Sequence, residues 1–185
     1  MTTFESFDAV APIAPGTIER WRDRAPGGLV EVWEAQGSGL VGDGYVRVVD
    51  PDRAHQMLDG VLTMPPTAVP VLTTALADLV MYIAPVFHVA RFRRGTIDQL
   101  AFESDQLYAD LTDDQFLDGV LERQPYPAAA DRLGVPGIDE CFFYAPLLTI
   151  GGPEVEANLH RGGLWENLSL TVQMSGLPQP RGARG

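Results

Sequence analysis

Four groups of residues have types and spacings from which chemistry could be built. The first is Gly151-Gly152-Pro153-Glu154, which follows the apolar run YAPLLTI at residues 144–150. Its layout is that of a phosphate-binding turn, where glycines let backbone N–H groups approach an anion at a helix N-terminus. The details oppose that chemistry. Pro153 removes one N–H donor, no Lys or hydroxyl follows, and Glu154 and Glu156 would repel an anion from the positive helix end. A tight strand-to-helix turn is expected instead. The second group is Cys141 within CFFY, a run suited to a buried strand; a nucleophilic thiol needs an accessible, electropositive niche. The third is His55, His88 and His160, each isolated in sequence. Asp52 and His55 share i,i+3 spacing, but no third ligand accompanies them, so neither a metal nor a cofactor is expected. No G-x-S-x-G and no G-x-G-x-x-G occurs, and GSGLVGDG (37–44) is predicted to be a loop.

The fourth group is a charge block. Between Arg94 and Arg123 there is no basic residue, while Asp98, Glu103, Asp105, Asp110, Asp113, Asp114, Asp118 and Glu122 supply eight acids. A helix over QFLDGVLER, capped through Thr112 to Gln115, would set Asp114, Asp118 and Glu122 on one stripe about 80° wide. Phe116, Leu117, Val120 and Leu121 would then pack inward. Like charges at i,i+4 cost a helix a few tenths of a kcal/mol per pair, about 0.2–0.5, so this helix tolerates electrostatics that do not help it. Two readings stand: a solvated face, or an acidic docking surface for a basic protein made by Asp105, Asp110, Asp113, Asp114, Asp118 and Glu122.

The whole chain sets bounds on these groups. Its 185 residues carry a net charge of -12, and a hydrophobic fraction of 45% suffices for a folded core. So acidic a surface repels phosphate backbones and anionic lipid and attracts basic partners. A lone cysteine excludes an internal disulfide and a Cys-rich zinc site. MTTFESFDAV has neither the basic nor the apolar region of a signal peptide. The uncharged stretch from Gly60 to Ala77 is broken by Pro65, Pro66 and Pro70, so it is expected to be a buried core segment and not a bilayer span. A cytoplasmic protein is expected, binding neither nucleic acid nor membrane.

The elements that must position these residues are mixed. Helices are predicted over IERWRDR with Thr17 as cap, LVEVWEAQG, and DRAHQMLDG with Asp50 as cap and Pro51 at its first position. Further helices are predicted over YPAAADRLG, EVEANLH and LWENLSLTVQM. Strands are predicted over YVRVVD, LVMYI, VFHVARF, TIDQLAFE and ECFFYAPLLTI. Without regular βαβ alternation, the class is α+β, with antiparallel strands and two small subdomains packed together. SGLPQPRGARG is expected to be a loose tail.

The spaced positions carry a resemblance. Trp33 before a Gly-rich loop, Asp50-Pro51 opening a helix, Ala77-Asp78-Leu79 before a strand, and above all Arg132–Gly134, Asp139-Glu140 and Tyr144 through Gly152 resemble the GAD-like immunity proteins of type VI secretion systems. Ala77 departs from that pattern, which has Gly there. The resemblance spans residues 17–176 and implies a GAD-like N-terminal region (1–97), a C-terminal immunity domain (98–176) and a flexible tail (177–185). It further implies a non-catalytic antitoxin that binds and neutralises a cognate secreted toxin, in the best-known case a DNase effector. An acidic protein can occupy the basic surface with which a nuclease grips DNA, which agrees with the charge. The alternatives are a small enzyme with an unrecognised carboxylate-based active site, and a tRNA-related accessory module, which the acidic pI opposes.

Overall fold

The computed structural model describes residues 3–181. An eight-stranded sheet organises them, in the order β1 (Phe7–Ala11), β2 (Ser38–Val41), β3 (Val46–Val48), β4 (Val69–Thr74), β5 (Asp78–Ile83), β6 (Val86–Arg91), β7 (Thr96–Ala101) and β10 (Gln179–Pro180). Neighbours pair antiparallel except β10, which runs parallel to β7. A separate antiparallel ribbon joins β8 (Glu140–Tyr144) to β9 (Leu159–Gly163). The mixed, mostly antiparallel arrangement is α+β.

Side chains alternate along β5, and the alternation divides the core. Val80 joins a cluster with α1 (Pro15–Trp21), α2 (Leu29–Ala35), α4 (Ser104–Asp110), α5 (Asp114–Gly119) and α6 (Tyr126–Leu133). Leu79 and Met81 join the opposite cluster with α3 (Pro51–Leu58) and α7 (Leu164–Ser175). Leu29, Val32 and Trp33 recur at helical spacing on α2 and are at most 1% exposed, each burial contributing about 1.5–3 kcal/mol. Asp50 caps α3 as expected, accepting from the backbone N–H groups of Asp52 and Arg53, with Pro51 at the first position. The β5–β6 hairpin, α6 closed by Gly134, and α7 likewise lie where the sequence places them.

Other elements differ from expectation. Thr17 is no cap; α1 begins earlier at Pro15, and the Thr17 hydroxyl donates to Asp52 at 2.7 Å. GSGLVGDG is not merely a loop, because its residues 38–41 form β2, whose backbone β1 and β3 satisfy. Of the stretch from Gly60 to Ala77 expected to be a buried core segment, residues 68–77 are buried, with Val69–Thr74 forming strand β4, whereas residues 60–67 are exposed or half-buried. EVEANLH forms no helix. A 3-10 turn at Glu156–Asn158 leads into β9, which β8 claims by cross-strand pairing. The sheet crosses the expected boundary between residues 97 and 98, which lies inside β7. Of the expected loose tail, residues 179–180 dock as β10 and Arg181 pairs with Asp98 at 2.9 Å, while residues 182–185 lie outside those described.

Candidate functional site

The GGPE segment is a turn, and its geometry explains both glycines. Gly151 has φ +92°, and a Cβ on Gly152 would collide with the Pro146 carbonyl oxygen. Glu154 pairs with Arg94 at 2.6 Å, so the segment presents a neutralised carboxylate and no anion cradle. Cys141 is fully buried in β8, and burial pushes its thiol up to about 12, out of nucleophilic range. Among the described residues no group of three or more His, Cys, Asp and Glu is arranged to hold a metal ion.

Asp78 is the one wholly buried carboxylate among the described residues, and it is committed to structure. It accepts from the Thr74 hydroxyl at 3.2 Å and faces both Arg93 donors, Nε at 3.4 Å and Nη2 at 3.2 Å. Burial raises its carboxyl, which Arg93 draws back in part. Burial works against the Arg93 charge too, but Asp78 outweighs it and keeps the guanidinium above its ordinary value. Arg47 is a buried cation with no carboxylate. It donates to the carbonyls of Gly44 (3.0 Å) and Pro136 (3.1 Å), and burial lowers it to about 10. A groove of about 580 Å³ between β1, α1 and α2 has apolar walls of Val10, Ile13 and Ile18. Its charged rim is already spent, since Arg22 pairs with Glu19 and Glu34. Convergent titratable groups of the kind acid–base catalysis requires are not found in it.

The charge block divides into two sets. The stripe geometry fails because α5 ends at Gly119; Glu122 lies beyond it with φ +52°. Asp113, and not Thr112, caps this helix, accepting from Phe116 N–H at 2.9 Å. Leu117 and Leu121 pack inward, whereas Val120 is 41% exposed. Asp114 and Asp118 both grip Arg123, at 2.9 and 2.8 Å. Glu122 lies among Arg91 (3.5 Å), Arg93 (3.8 Å), Arg94 (3.1 Å) and Arg181 (3.7 Å), and its carbonyl also accepts from Arg93 at 3.0 Å. These three acids are tied to the protein's own arginines, and Glu122 ties the loop after α5 to the β6–β7 turn.

Asp105, Asp110 and Asp113 form no ion pair among the described residues. Asp105 projects from the exposed side of α4, Asp110 accepts only from Gln106, and Asp113 only caps. Glu5, Glu31 and Glu103 are also exposed and, among the described residues, without ion pairs. Sequence reasoning missed this division because the partner arginines lie 28–31 positions away, at Arg91–Arg94, or beyond the next turn, at Arg123.

Fold and site together define an α+β protein whose arginines are drawn into internal pairs and whose unpaired carboxylates lie on the surface. Comparison with known proteins gives the family. The family model for the GAD-like domain matches residues 1–86, and that for the T6SS immunity protein Tdi1, C-terminal, matches residues 101–175. The chain belongs to the type VI secretion immunity family that joins these two regions. No curated protein matches. Among solved structures, the crystal structure of Atu4351 from Agrobacterium tumefaciens shares the fold with a TM-score of 0.73. At 11% identity, it covers 92% of this chain and 85% of its own. No helix among the described residues is long and apolar enough to cross a membrane.

Proposed function

We propose that this chain is an antitoxin that binds a cognate secreted toxin stoichiometrically and neutralises it without catalysis, in the cytoplasm of the cell it protects. The toxin is a basic protein, and a nuclease is the class whose active surface an acidic protein best occupies. One observation carries the reading: the region matching the Tdi1-type immunity family, residues 101–175, holds the unpaired carboxylates Asp105, Asp110 and Asp113. Unpaired surface charge accelerates encounter with an oppositely charged partner and discriminates against others. Such a surface repels nucleic acid, which argues against a tRNA accessory role. The small-enzyme alternative gains nothing from Asp78 or Cys141, both buried and bound up in the fold.

Growth rescue tests the proposal. Expression of the toxin encoded beside this gene should arrest growth, and co-expression of this chain should restore it. A pull-down of the two purified proteins should succeed at low salt and weaken at high salt. Continued arrest with every neighbouring toxin candidate, with the chain soluble and abundant, would overturn the assignment.

A further inference from the structure

Between the N-terminal arm and α4 lies an open hollow of about 570 Å³, with Glu5 and Ser6 on one wall and Asp105 and Thr112 on the other. Tyr108 also lines it and is only 5% exposed; its hydroxyl lies beside Ser104, yet neither Ser104 nor any other described residue makes a hydrogen bond of normal length with it. Buried hydroxyls left unpaired are rare in folded proteins, and each asks for a missing partner. We infer that this hollow is the receptor for an arginine side chain of the toxin, whose guanidinium bridges the Glu5 and Asp105 carboxylates and donates to the Tyr108 oxygen. The inference rests on the antitoxin reading and adds where the cation is received.

Three observations support the occupant. The acceptors are already in place: the Phe4 N–H donates to Gln36, whose amide donates back to the Phe4 carbonyl, both at 2.9 Å, tying the arm to the end of α2. Tyr108 is fixed by edge-to-face packing on Phe4 (6.0 Å, 84°) and Phe87 (6.5 Å, 77°). The hollow is also negative. Burial first, then Asp105 and Glu31, hold the Tyr108 phenol above its ordinary value, so it is neutral at pH 7 and its oxygen can accept. Finally, among the described residues neither Glu5 nor Asp105 has an ion pair to give up, unlike Asp114, Asp118 and Glu122. Among protein cations, a planar fork with five donors suits several separated acceptors better than the point charge of an ammonium.

The test uses the full chain and the toxin encoded beside it. Asp105→Asn and Glu5→Gln should each weaken binding about tenfold and flatten its salt dependence. Tyr108→Phe should weaken it about fivefold with the salt dependence kept. Asp118→Asn should leave affinity unchanged, and melting temperatures of the three hollow variants should stay within about 3 °C of the parent. Tight wild-type binding with all three hollow variants binding equally well would overturn the hollow and leave the antitoxin reading standing. Should the wild-type chain bind no toxin, the antitoxin reading fails. The hollow is then judged by titrating N-acetyl-arginine amide and following the Tyr108 ring resonances. A shift that Asp105→Asn abolishes supports it, and none in the wild-type chain overturns it.

Discussion

Ala77 has φ +61° at the turn between β4 and β5, a left-handed conformation that L residues avoid because Cβ crowds the following carbonyl. This is the position where the family pattern has glycine, and the departure has a physical cost of about 1 kcal/mol or more. The turn survives because its surroundings over-determine it. The Thr74 hydroxyl accepts from the N–H groups of Leu76 (3.3 Å) and Asp78 (3.1 Å), and Arg93 grips the Asp78 carboxylate. Ala77→Gly relieves the strain but frees the unfolded chain and removes a buried methyl, so stability should change by less than about 1 kcal/mol. Ala77→Val places a β-branched residue in the left-handed region at a site only 2% exposed, and should cost about 2–4 kcal/mol. Urea midpoints at constant slope measure both. A valine variant as stable as the parent would mean that the turn relaxes to negative φ.

At the scale of elements, the loop after α5 and the β6–β7 turn are joined by charge, and the join gives stability a pH dependence. Burial alone would raise the Glu122 carboxyl; Arg93, Arg91 and Arg94 outweigh it and hold it below its ordinary value. Hydrogen bonds from Arg94 and Arg161 depress Glu154 and Glu140. A carboxylate depressed in the folded state contributes stability above its unfolded pKa, and that stability is lost as pH falls through the folded value. Asp78 has the opposite sign: burial raises it, so its contribution improves as pH drops. The depressed groups outnumber it, so the melting temperature should hold from pH 7 to about 5 and fall below about 4.5. Glu122→Gln should flatten part of that fall. An equal fall in parent and variant would remove Glu122 from the account.

The same elements show what a sequence can convey. Asp50-Pro51 and the β5–β6 hairpin were legible because their signals are local: a cap satisfies its own helix, and paired β-rich runs adjoin. β4 was hidden by Pro70, which reads as a breaker yet sits at the register shift between Pro70 and Leu72, where a strand tolerates proline. β9 and β10 are short and owe their conformation to β8 and β7, so no periodicity marks them. Of the docking set, the acid block was legible and its pairing was not, because no local rule brings Arg91–Arg94 to Glu122.

Across the whole molecule, the arginines determine where the net charge of -12 is expressed. Among the described arginines only Arg24 and Arg47 lack a carboxylate partner; Arg24 stacks on Trp21 at 4.2 Å and Arg47 is buried. With the other described guanidinium groups absorbed in ion pairs within the chain, the far field comes from carboxylates that have no partner. These are not all in one place. Asp105, Asp110 and Asp113 lie together on and just after α4, whereas Asp59 follows α3, Asp131 is on α6 and Glu166 begins α7. Neutralising either trio changes net charge by the same three units, so the two variants separate a general charge effect from a local face. If the α4 side receives the toxin, Asp105→Asn, Asp110→Asn and Asp113→Asn together should slow association about tenfold at low salt. Asp59→Asn, Asp131→Asn and Glu166→Gln together should slow it less than about threefold, and the gap should close as salt approaches about 0.5 M. Stopped-flow association rates across a salt series read this directly. Equal slowing by both trios would mean that the molecule attracts its partner by total charge alone, and the α4 face would lose its claim.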